Sequence, residues 1–385
     1  MRKISLVSSS RADFGILKNL IIKIQKDKKI NLNFYVTGSN LNQKFGNTVK
    51  EINKAKIKIK KKIPVKFEVG KDINVTKIIS QSINNFSNEF KKNRPEILIL
   101  LGDRYEIFSV AVAAMSHQIP IAHIHGGEIT QGVIDEAIRH SITKMSHIHL
   151  VSTKKYYERV RQLGESKKFI FNVGSLGVEN IKKMEFRSLA QIKKKFKITQ
   201  KGFFVITLHP ETLKPNDTKK NITILLESLK KFKKKDLIFT LPGADSNYKN
   251  IHKEVINFCK KNKNANNFKS LGQTDYLNLC KFADCVIGNS SSGIIEIPSL
   301  GVPSLDIGER QLGRVRAKTV IHSSFKKQSI VNSINRSLNL KKKILRKKTK
   351  IKNPYEKFGT SNKIINILKS INLKNIIHKS FLDTK

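Results

Sequence analysis

The chain has few cysteines, no tryptophan and no long apolar run. Its three cysteines, Cys259, Cys280 and Cys285, include no Cys-x-x-Cys pair, which argues against a disulfide framework and favours a reduced, cytoplasmic setting. No apolar stretch approaches the roughly 18 residues that a membrane span needs. The first apolar run, Ile4–Val7, has the length of a strand rather than that of a signal-peptide core. We therefore expect a cytoplasmic protein with no membrane partner.

Acidic residues are also scarce. The sequence has 29 Asp and Glu against 75 Lys and Arg, which gives a formal net charge of +46. Such an excess is typical of proteins that bind nucleic acid. Here, however, lysines occur in short runs along the whole chain, such as Lys60–Lys62 and Lys341–Lys343, beside many Asn and Ile residues. We interpret the charge as a compositional bias on solvated faces and expect no nucleic-acid partner.

A length of 385 residues predicts about two domains. Short apolar runs alternate with segments of helical period, and this alternation is typical of βαβ units with a parallel sheet. The alternation breaks near Asn172–Lys183. We therefore predict an α/β fold with two Rossmann-like domains, 1–175 and 176–354, facing across a cleft, and expect the helix in 355–385 to pack back on the first domain. The predicted strands are Ile4–Val7, Leu32–Val36, Ile97–Leu101, Ile119–Ile124 and Ile148–Val151, then Phe203–Leu208, Leu237–Leu241, Cys285–Gly288 and Ser304–Ile307.

Ligands of such folds bind beyond the carboxyl ends of the strands, so the polar residues found there are the candidates. Arg11 follows Ser8–Ser10, where open backbone N–H groups and a guanidinium suit an anion. An ordinary helix cap is the alternative. Asp103 and Arg104 follow the third predicted strand. Asp103 suits a base or a group that orients a substrate hydroxyl, and a helix cap is again the alternative.

The next predicted strand runs into His123-Ile-His125-Gly-Gly-Glu128. A period of two residues places His123 and His125 on one face. A metal site with Glu128 as third ligand is one interpretation, but the two glycines indicate close backbone approach, and we favour a metal-free polar site. Asp135 lies four residues before Arg139, which suits a helix salt bridge or a place in the cleft. We expect His147 and His149 to be core or capping residues.

The second domain carries the strongest motif, Gly288-Asn-Ser290-Ser291-Ser292-Gly293, between an apolar strand and a predicted helix. Serine hydroxyls and helix N-terminal amides suit a diphosphate, and Glu296 suits ribose hydroxyls. The motif is neither a dinucleotide fingerprint nor a P-loop. His209, between a strand and a proline turn, suits phosphate contact or proton transfer. Arg310, Arg314 and Arg316 form a cationic loop that we expect to close over phosphates.

These motifs, taken in order, resemble one family. SSSRADFG, LGDRYEIFSVAVAA, HIHGGE, DEAIRHSITKMS, HPETL and GNSSSGIIEIPSLGVPSLDIGERQLGRVRA are similar to the hydrolysing UDP-N-acetylglucosamine 2-epimerases of sialic acid biosynthesis, over residues 1 to about 372. The resemblance implies a glycosyltransferase-B-type fold with no metal and no nicotinamide or other cofactor. It also implies a UDP-contacting set of Arg11, Arg104, His209, Ser290, Ser291, Glu296 and Arg310, to which we add Ser292 and Gly293 of the same motif.

For catalysis, the resemblance implies Asp103, Asp135 and His209. A relative in the same superfamily has Glu where this chain has His125, so His125 and Glu128 join the candidates for proton transfer at C2, of which we favour Asp103 and Asp135, in either order. The implied reaction removes UDP from C1 and the proton from C2, and water then adds to the 2-acetamidoglucal to give N-acetylmannosamine. The alternatives are the same reaction on UDP-2,4-diacetamido-2,4,6-trideoxyglucose for legionaminic acid, a non-hydrolysing epimerase and a glycosyltransferase. We expect a homo-oligomer, either a dimer or a tetramer.

Overall fold

The computed structural model describes residues 1–43, 48–67, 74–214, 216–243, 247–349 and 351–383. The strands within these ranges are β1 (Arg2–Ser8), β2 (Ile30–Thr37), β3 (Lys61–Ile63), β4 (Ile97–Leu101), β5 (Ile121–Ile124), β6 (Ile148–Val151), β7 (Ile170–Asn172), β8 (Phe203–Thr207), β9 (Asp236–Thr240), β10 (Ala265–Phe268), β11 (Cys285–Gly288), β12 (Ser304–Ile307) and β13 (Val320–Ser323). The helices are α1 (Arg11–Lys26), α2 (Thr48–Lys54), α3 (Val75–Lys92), α4 (Tyr105–Ser116), α5 (Asp135–Met145), α6 (Lys154–Gln162), α7 (Leu176–Lys182), α8 (Leu189–Phe196), α9 (Asp217–Leu229), α10 (Tyr248–Lys261), α11 (Gly272–Phe282), α12 (Ser291–Ile295), α13 (Lys327–Lys347) and α14 (Thr360–Ser370).

The chain divides into two compact units. Unit 1 comprises Met1–Glu128, Ile134–Asn180 and Tyr355–Lys385, and unit 2 comprises Ile129–Val133 and Ile181–Pro354. The boundary expected after residue 175 therefore falls five residues later. The segment Ile129–Val133, which the sequence placed in the first domain, groups with unit 2, because Arg314 donates to the Ile129 carbonyl at 2.6 Å and to the Thr130 hydroxyl at 3.0 Å.

Unit 1 contains a parallel sheet in the order β3-β2-β1-β4-β5-β6-β7. Its interior strands are apolar because helices cover both faces. One buried cluster joins β1, β2 and α1 to Ile364, Ile365 and Leu368 of α14, and a second joins β4 and β5 to α3 and α4. Strands β2 and β3 are added on one side of β1, and β4 to β7 are added on the other. The topological switch point, where such sheets bind ligands, therefore lies between β1 and β4.

Unit 2 contains a second parallel sheet, in the order β10-β9-β8-β11-β12-β13. Its switch point lies between β8 and β11. Helices α9, α10 and α13 cover one face and α8 and α11 the other. The predicted class of two parallel α/β domains is confirmed. No helix in the described part of the chain combines the length and apolar character that a membrane crossing requires.

Candidate functional site

At the switch point of unit 2, the Asn289 side chain pairs with the backbone of His209. Its Oδ1 accepts from the His209 N–H at 2.7 Å, and its Nδ2 donates to the His209 carbonyl at 2.9 Å. Asn289 is fully buried, so neither bond competes with bulk water. The pairing fixes the turn after β8 against the turn after β11. The sequence analysis included Asn289 in the motif but gave it no role, although an amide side chain directly after an apolar strand is a detectable signal.

Gly288 is required by the pairing of β8 with β11. It lies opposite Thr207 in the parallel register and has a φ of 141°, a conformation that residues with a side chain rarely adopt. An added Cβ would lie 1.8 Å from the Thr207 carbonyl oxygen, whereas a Cβ at Gly293 would lie 3.6 Å from its nearest neighbour, the Ser304 Cβ. Gly288 is therefore needed for the backbone conformation and for the close approach of β8, whereas Gly293 has room for a side chain.

The Ser290–Ser292 segment forms the start of a helix that is shorter than predicted. Ser290 caps α12, its hydroxyl accepting from the Ser292 N–H at 3.4 Å, and α12 spans five residues before a 3-10 turn at Ile297–Leu300. Ser291 and Ser292 are half-buried in the first turn. The Glu296 carboxylate accepts from Gln273 at 3.4 Å. The segment presents serine side chains at the helix start, but so short a helix adds little macrodipole.

The prediction that three arginines close over phosphates was wrong for Arg314 and Arg316, which bind other protein groups. Arg314 binds the backbone carbonyl of Ile129, and Arg316 donates to the Asp306 carboxylate at 2.5 Å. Of the three, Arg310 contacts the Gly288–Gly293 motif, where its Nη1 donates to the Asn289 carbonyl at 3.1 Å. The Arg310 Nε is buried and has no hydrogen-bond partner within the described ranges.

At the switch point of unit 1, the backbone N–H groups of the serines before α1 are bound within a helix cap. The Asp13 carboxylate accepts from the Ser9 N–H at 2.9 Å and from the Ser10 N–H at 3.0 Å, and Ser10 caps the helix. The expectation that these amides are open to an anion was therefore wrong, because a buried side-chain carboxylate already binds them. Arg11 remains the cationic group here: its Nη1 is buried without a hydrogen-bond partner among the described residues, and burial lowers its pKa.

Arg104, after β4, pairs with a buried carboxylate. Its Nε donates to Glu106 Oε2 at 3.0 Å, and Glu106 is fully buried. Burial raises the pKa of Glu106, and the charge of Arg104 opposes that rise. Glu106 is therefore a buried residue that holds the Arg104 guanidinium in place.

Arg139 of α5 joins two of the predicted catalytic residues. Its Nη2 donates to the Asp103 carboxylate and its Nη1 to the His125 carbonyl, the latter at 2.8 Å. The spacing of four residues suggested Asp135 as a partner of Arg139; the structure shows that Arg139 binds Asp103, 36 residues away in the chain. Asp135 is the half-buried first residue of α5.

His123 and His125 do not share a strand face, contrary to the expected alternation. Strand β5 ends at Ile124, and His125 follows with a φ of 68°. His123 bonds through Nε2 to the Gly102 carbonyl at 2.8 Å and through Nδ1 to the Thr143 hydroxyl at 3.2 Å. Burial lowers the pKa of His123 to about 3. Both of its ring nitrogens are engaged by protein groups, so His123 is a structural residue.

His125 and Glu128 form a buried pair beside these residues. His125 Nδ1 lies 3.0 Å from Glu128 Oε1, and the Ser152 hydroxyl donates to the same oxygen at 2.8 Å. Across the described residues, no group of three His, Cys, Asp or Glu side chains is placed to hold a metal ion. The pair therefore offers acid–base groups at the end of β5.

Two parallel α/β units with these topologies define the glycosyltransferase-B-like class that the sequence predicted. The crystal structure of UDP-GlcNAc 2-epimerase from Neisseria meningitidis bound to UDP-GlcNAc matches with a TM-score of 0.79, covering 96% of this chain and 99% of that one at 18% identity. At that identity the match shows the fold alone.

Comparison with known sequences shows the family. The family model described as UDP-N-acetylglucosamine 2-epimerase matches residues 22–369, and the chain belongs to that family. It is 42% identical to the GDP/UDP-N,N'-diacetylbacillosamine 2-epimerase (hydrolyzing) of Campylobacter jejuni, over 99% of both chains. It is 39% identical to the polysialic acid biosynthesis protein P7 of Escherichia coli, over 100% of this chain and 98% of that protein. The family predicted from the motifs is confirmed, and the protein is an epimerase.

Proposed function

We propose that the protein is a hydrolysing 2-epimerase that acts on a UDP-linked 2-acetamido sugar. The observation that carries the proposal is the position of the motif residues. Arg11, Asp103 and His125 follow β1, β4 and β5, while His209, Ser290 and Arg310 follow β8, β11 and β12. In each unit these are the carboxyl ends of strands at or next to the switch point, where open α/β sheets bind ligands.

In this proposal unit 2 binds the UDP moiety. Ser290, Ser291, Ser292 and Gly293 receive the diphosphate, Glu296 receives the ribose, and Arg310 balances the charge that develops as UDP leaves. The Arg310 Nε, which has no hydrogen-bond partner among the residues that the structure describes, supports that role. His209, whose backbone N–H and carbonyl both bond to the Asn289 side chain, contacts a phosphate or exchanges a proton with the leaving group.

Unit 1 supplies the chemistry at C2 and two further cations for the diphosphate, Arg11 and Arg104. Asp103, His125 and Asp135 are the groups that we propose to exchange protons with the sugar, with Glu128 beside them. Arg139 fixes both the Asp103 carboxylate and the His125 backbone, which suits side chains that must hold their position during a reaction.

We propose UDP-N-acetylglucosamine as the substrate and N-acetylmannosamine with UDP as the products, in the synthesis of sialic acid-type sugars. The 39% identity to the polysialic acid biosynthesis protein supports this choice. UDP-2,4-diacetamido-2,4,6-trideoxyglucose, also called UDP-N,N'-diacetylbacillosamine, is the second candidate, since the Campylobacter jejuni relative named for that sugar is 42% identical. We further propose a cytoplasmic homo-oligomer.

The test is to incubate the purified protein with each sugar nucleotide in deuterated water and to follow the products by proton NMR. Free UDP with a 2-epimerised free sugar, deuterated at C2, is the expected result. The ratio of kcat/KM for the two substrates then selects between them. Intact UDP-N-acetylmannosamine as the product would instead indicate the non-hydrolysing reaction and contradict the proposal.

Asp103→Asn tests the division of roles between the units. Because Asp103 is proposed to act on the sugar, we expect kcat to fall by about 10²–10⁴-fold while calorimetry shows UDP affinity within about twofold of the wild type. Asp217→Asn, at an exposed position in α9, is the control and should keep full activity. An equal loss of UDP affinity in Asp103→Asn would show that Asp103 binds the nucleotide instead.

A further inference from the structure

The ring of His125 is held at one nitrogen and left open at the other. Its Nδ1 lies 3.0 Å from Glu128 Oε1. Its Nε2 is buried and has no hydrogen-bond partner among the residues that the structure describes. Buried polar atoms are nearly always satisfied in folded proteins, so a partnerless nitrogen at the end of a strand needs an explanation.

The surroundings of Glu128 fix which nitrogen carries the proton. Glu128 is 1% exposed, and Oε1 also accepts from the Ser152 hydroxyl at 2.8 Å. An ionised carboxylate only accepts hydrogen bonds, so the proton of a neutral His125 lies on Nδ1. Nε2 then carries a free lone pair. A carboxylate on one nitrogen and a lone pair on the other is the arrangement that makes an imidazole a general base.

The backbone of His125 supplies an independent sign of function. Its φ of 68° lies in the left-handed region, which residues other than Gly adopt uncommonly and which persists where the surroundings enforce it. Arg139, 3% exposed, enforces it here by donating to the His125 carbonyl at 2.8 Å. Asp103 is bound to the same guanidinium, the neutral ring of His123 lies nearby, and Arg159 donates to the Gly127 carbonyl at 2.5 Å.

We propose that Glu128 and Ser152 are positioning residues that hold His125 as the Nδ1–H tautomer, so that Nε2 is the atom that exchanges the proton at C2. The inference rests on the proposed function and revises the role of Glu128, which acts through His125 rather than on the sugar. Nε2 takes the C2 proton, and the C–H electron pair forms the C1–C2 double bond. The C1–O bond breaks, UDP leaves with its electron pair, and Glu128 balances the imidazolium charge.

Kinetics of Glu128→Gln test the proposal, because an uncharged amide cannot balance the imidazolium and can turn its NH2 group toward Nδ1. We expect kcat to fall at least 100-fold with KM within about threefold, and Glu128→Asp to recover part of the loss. Ser152→Ala, which removes one hydrogen bond, should lower kcat by about three- to tenfold. If Glu128→Gln does not fold, the Ser152→Ala variant still tests the proposal.

Glu165→Gln is the matched control. Glu165 is also a buried carboxylate of unit 1 bound to a buried histidine, with its Oε2 3.0 Å from His149 Nε2. His149 lies within β6 rather than beyond its end. Glu165→Gln should lower the melting temperature and leave kcat of the folded enzyme unchanged. An equal fall of kcat in both glutamate variants would overturn the proposal, because any damage to a buried His–Glu pair would then suffice.

A second readout does not depend on turnover. In protein labelled with ¹⁵N-histidine, the signals of His125, assigned by their loss in His125→Ala, should show a protonated Nδ1 and a bare Nε2 at pH 8. Glu128→Gln should shift the population toward the other tautomer. A wild-type ring protonated on Nε2 would refute the tautomer even in an active enzyme. Conversely, a wild type with this tautomer and no turnover of either sugar nucleotide would refute the proposed function.

Discussion

Two buried histidines of unit 1 predict that the protein loses stability in mild acid. His147 is 8% exposed, and its Nδ1 accepts from the Ile121 N–H at 3.2 Å. If Nδ1 were protonated, its N–H would face the Ile121 N–H, and that hydrogen bond would be lost. Burial, with help from the charge of Lys379, lowers the pKa of His147 to about 4. His123, whose Nε2 already donates to a carbonyl, has a pKa lowered by burial to about 3.

The direction and size of the effect follow from proton linkage. An unfolded histidine takes up its proton near pH 6.5, whereas these two remain neutral in the folded protein until about pH 4 and about pH 3. Between those values the unfolded state binds more protons, so stability is fully present above pH 6.5 and falls as the pH falls. At pH 5 each histidine should have removed about 2 kcal/mol relative to pH 8, which gives about 4 kcal/mol for the pair.

The assay is urea unfolding followed by far-UV circular dichroism at pH 8, 6.5 and 5, since the chain has no tryptophan to report by fluorescence. In His147→Asn the amide oxygen can replace Nδ1 as the acceptor for the Ile121 N–H. This variant should therefore start less stable at pH 8 but lose about 2 kcal/mol less on going to pH 5. The reasoning would be refuted if the variant lost as much stability as the wild type over that range.

Two further predictions concern the turns at the switch point of unit 2. In Gly288→Ala the new Cβ would lie 1.8 Å from the Thr207 carbonyl oxygen, so this variant should lose roughly 3–5 kcal/mol of unfolding free energy. The control Gly293→Ala should lose less than about 1 kcal/mol, and equal melting temperatures of the two variants would contradict the backbone argument. Asn289→Ala, which removes both bonds to the His209 backbone, should cost about 2 kcal/mol and weaken UDP binding in calorimetry, and an unchanged UDP affinity would show that the His209 turn keeps its shape unaided.

The strands that could be predicted from the sequence are those in the interior of each sheet. The described strands that were missed, β3, β7, β10 and β13, all lie at sheet edges. Edge strands have one neighbour and carry polar residues, as in the Lys61-Lys62-Ile63 of β3. They therefore lack the continuous apolar run that marks a strand buried on both faces.

For the site, the sequence could place residues at strand ends but could not choose their partners. Arg139 binds Asp103 across 36 residues, and Asn289 binds His209 across 80. Such pairs depend on which strands are neighbours in the sheet, which no local pattern encodes. His125 was misplaced because strand alternation holds only while φ stays extended, and the chain turns to a positive φ directly after β5.

The division of unit 1 along the chain sets an order for folding during synthesis. Ile364, Ile365 and Leu368 of α14 belong to the same buried cluster as β1 and α1, and Lys379 binds the buried Glu165 carboxylate at 3.0 Å. All residues of unit 2 are translated before Tyr355, where the last segment of unit 1 begins. All of unit 2 is therefore synthesised while the core of unit 1 still lacks α14 and exposes apolar surface. The unit whose synthesis starts first is thus the last to complete its core.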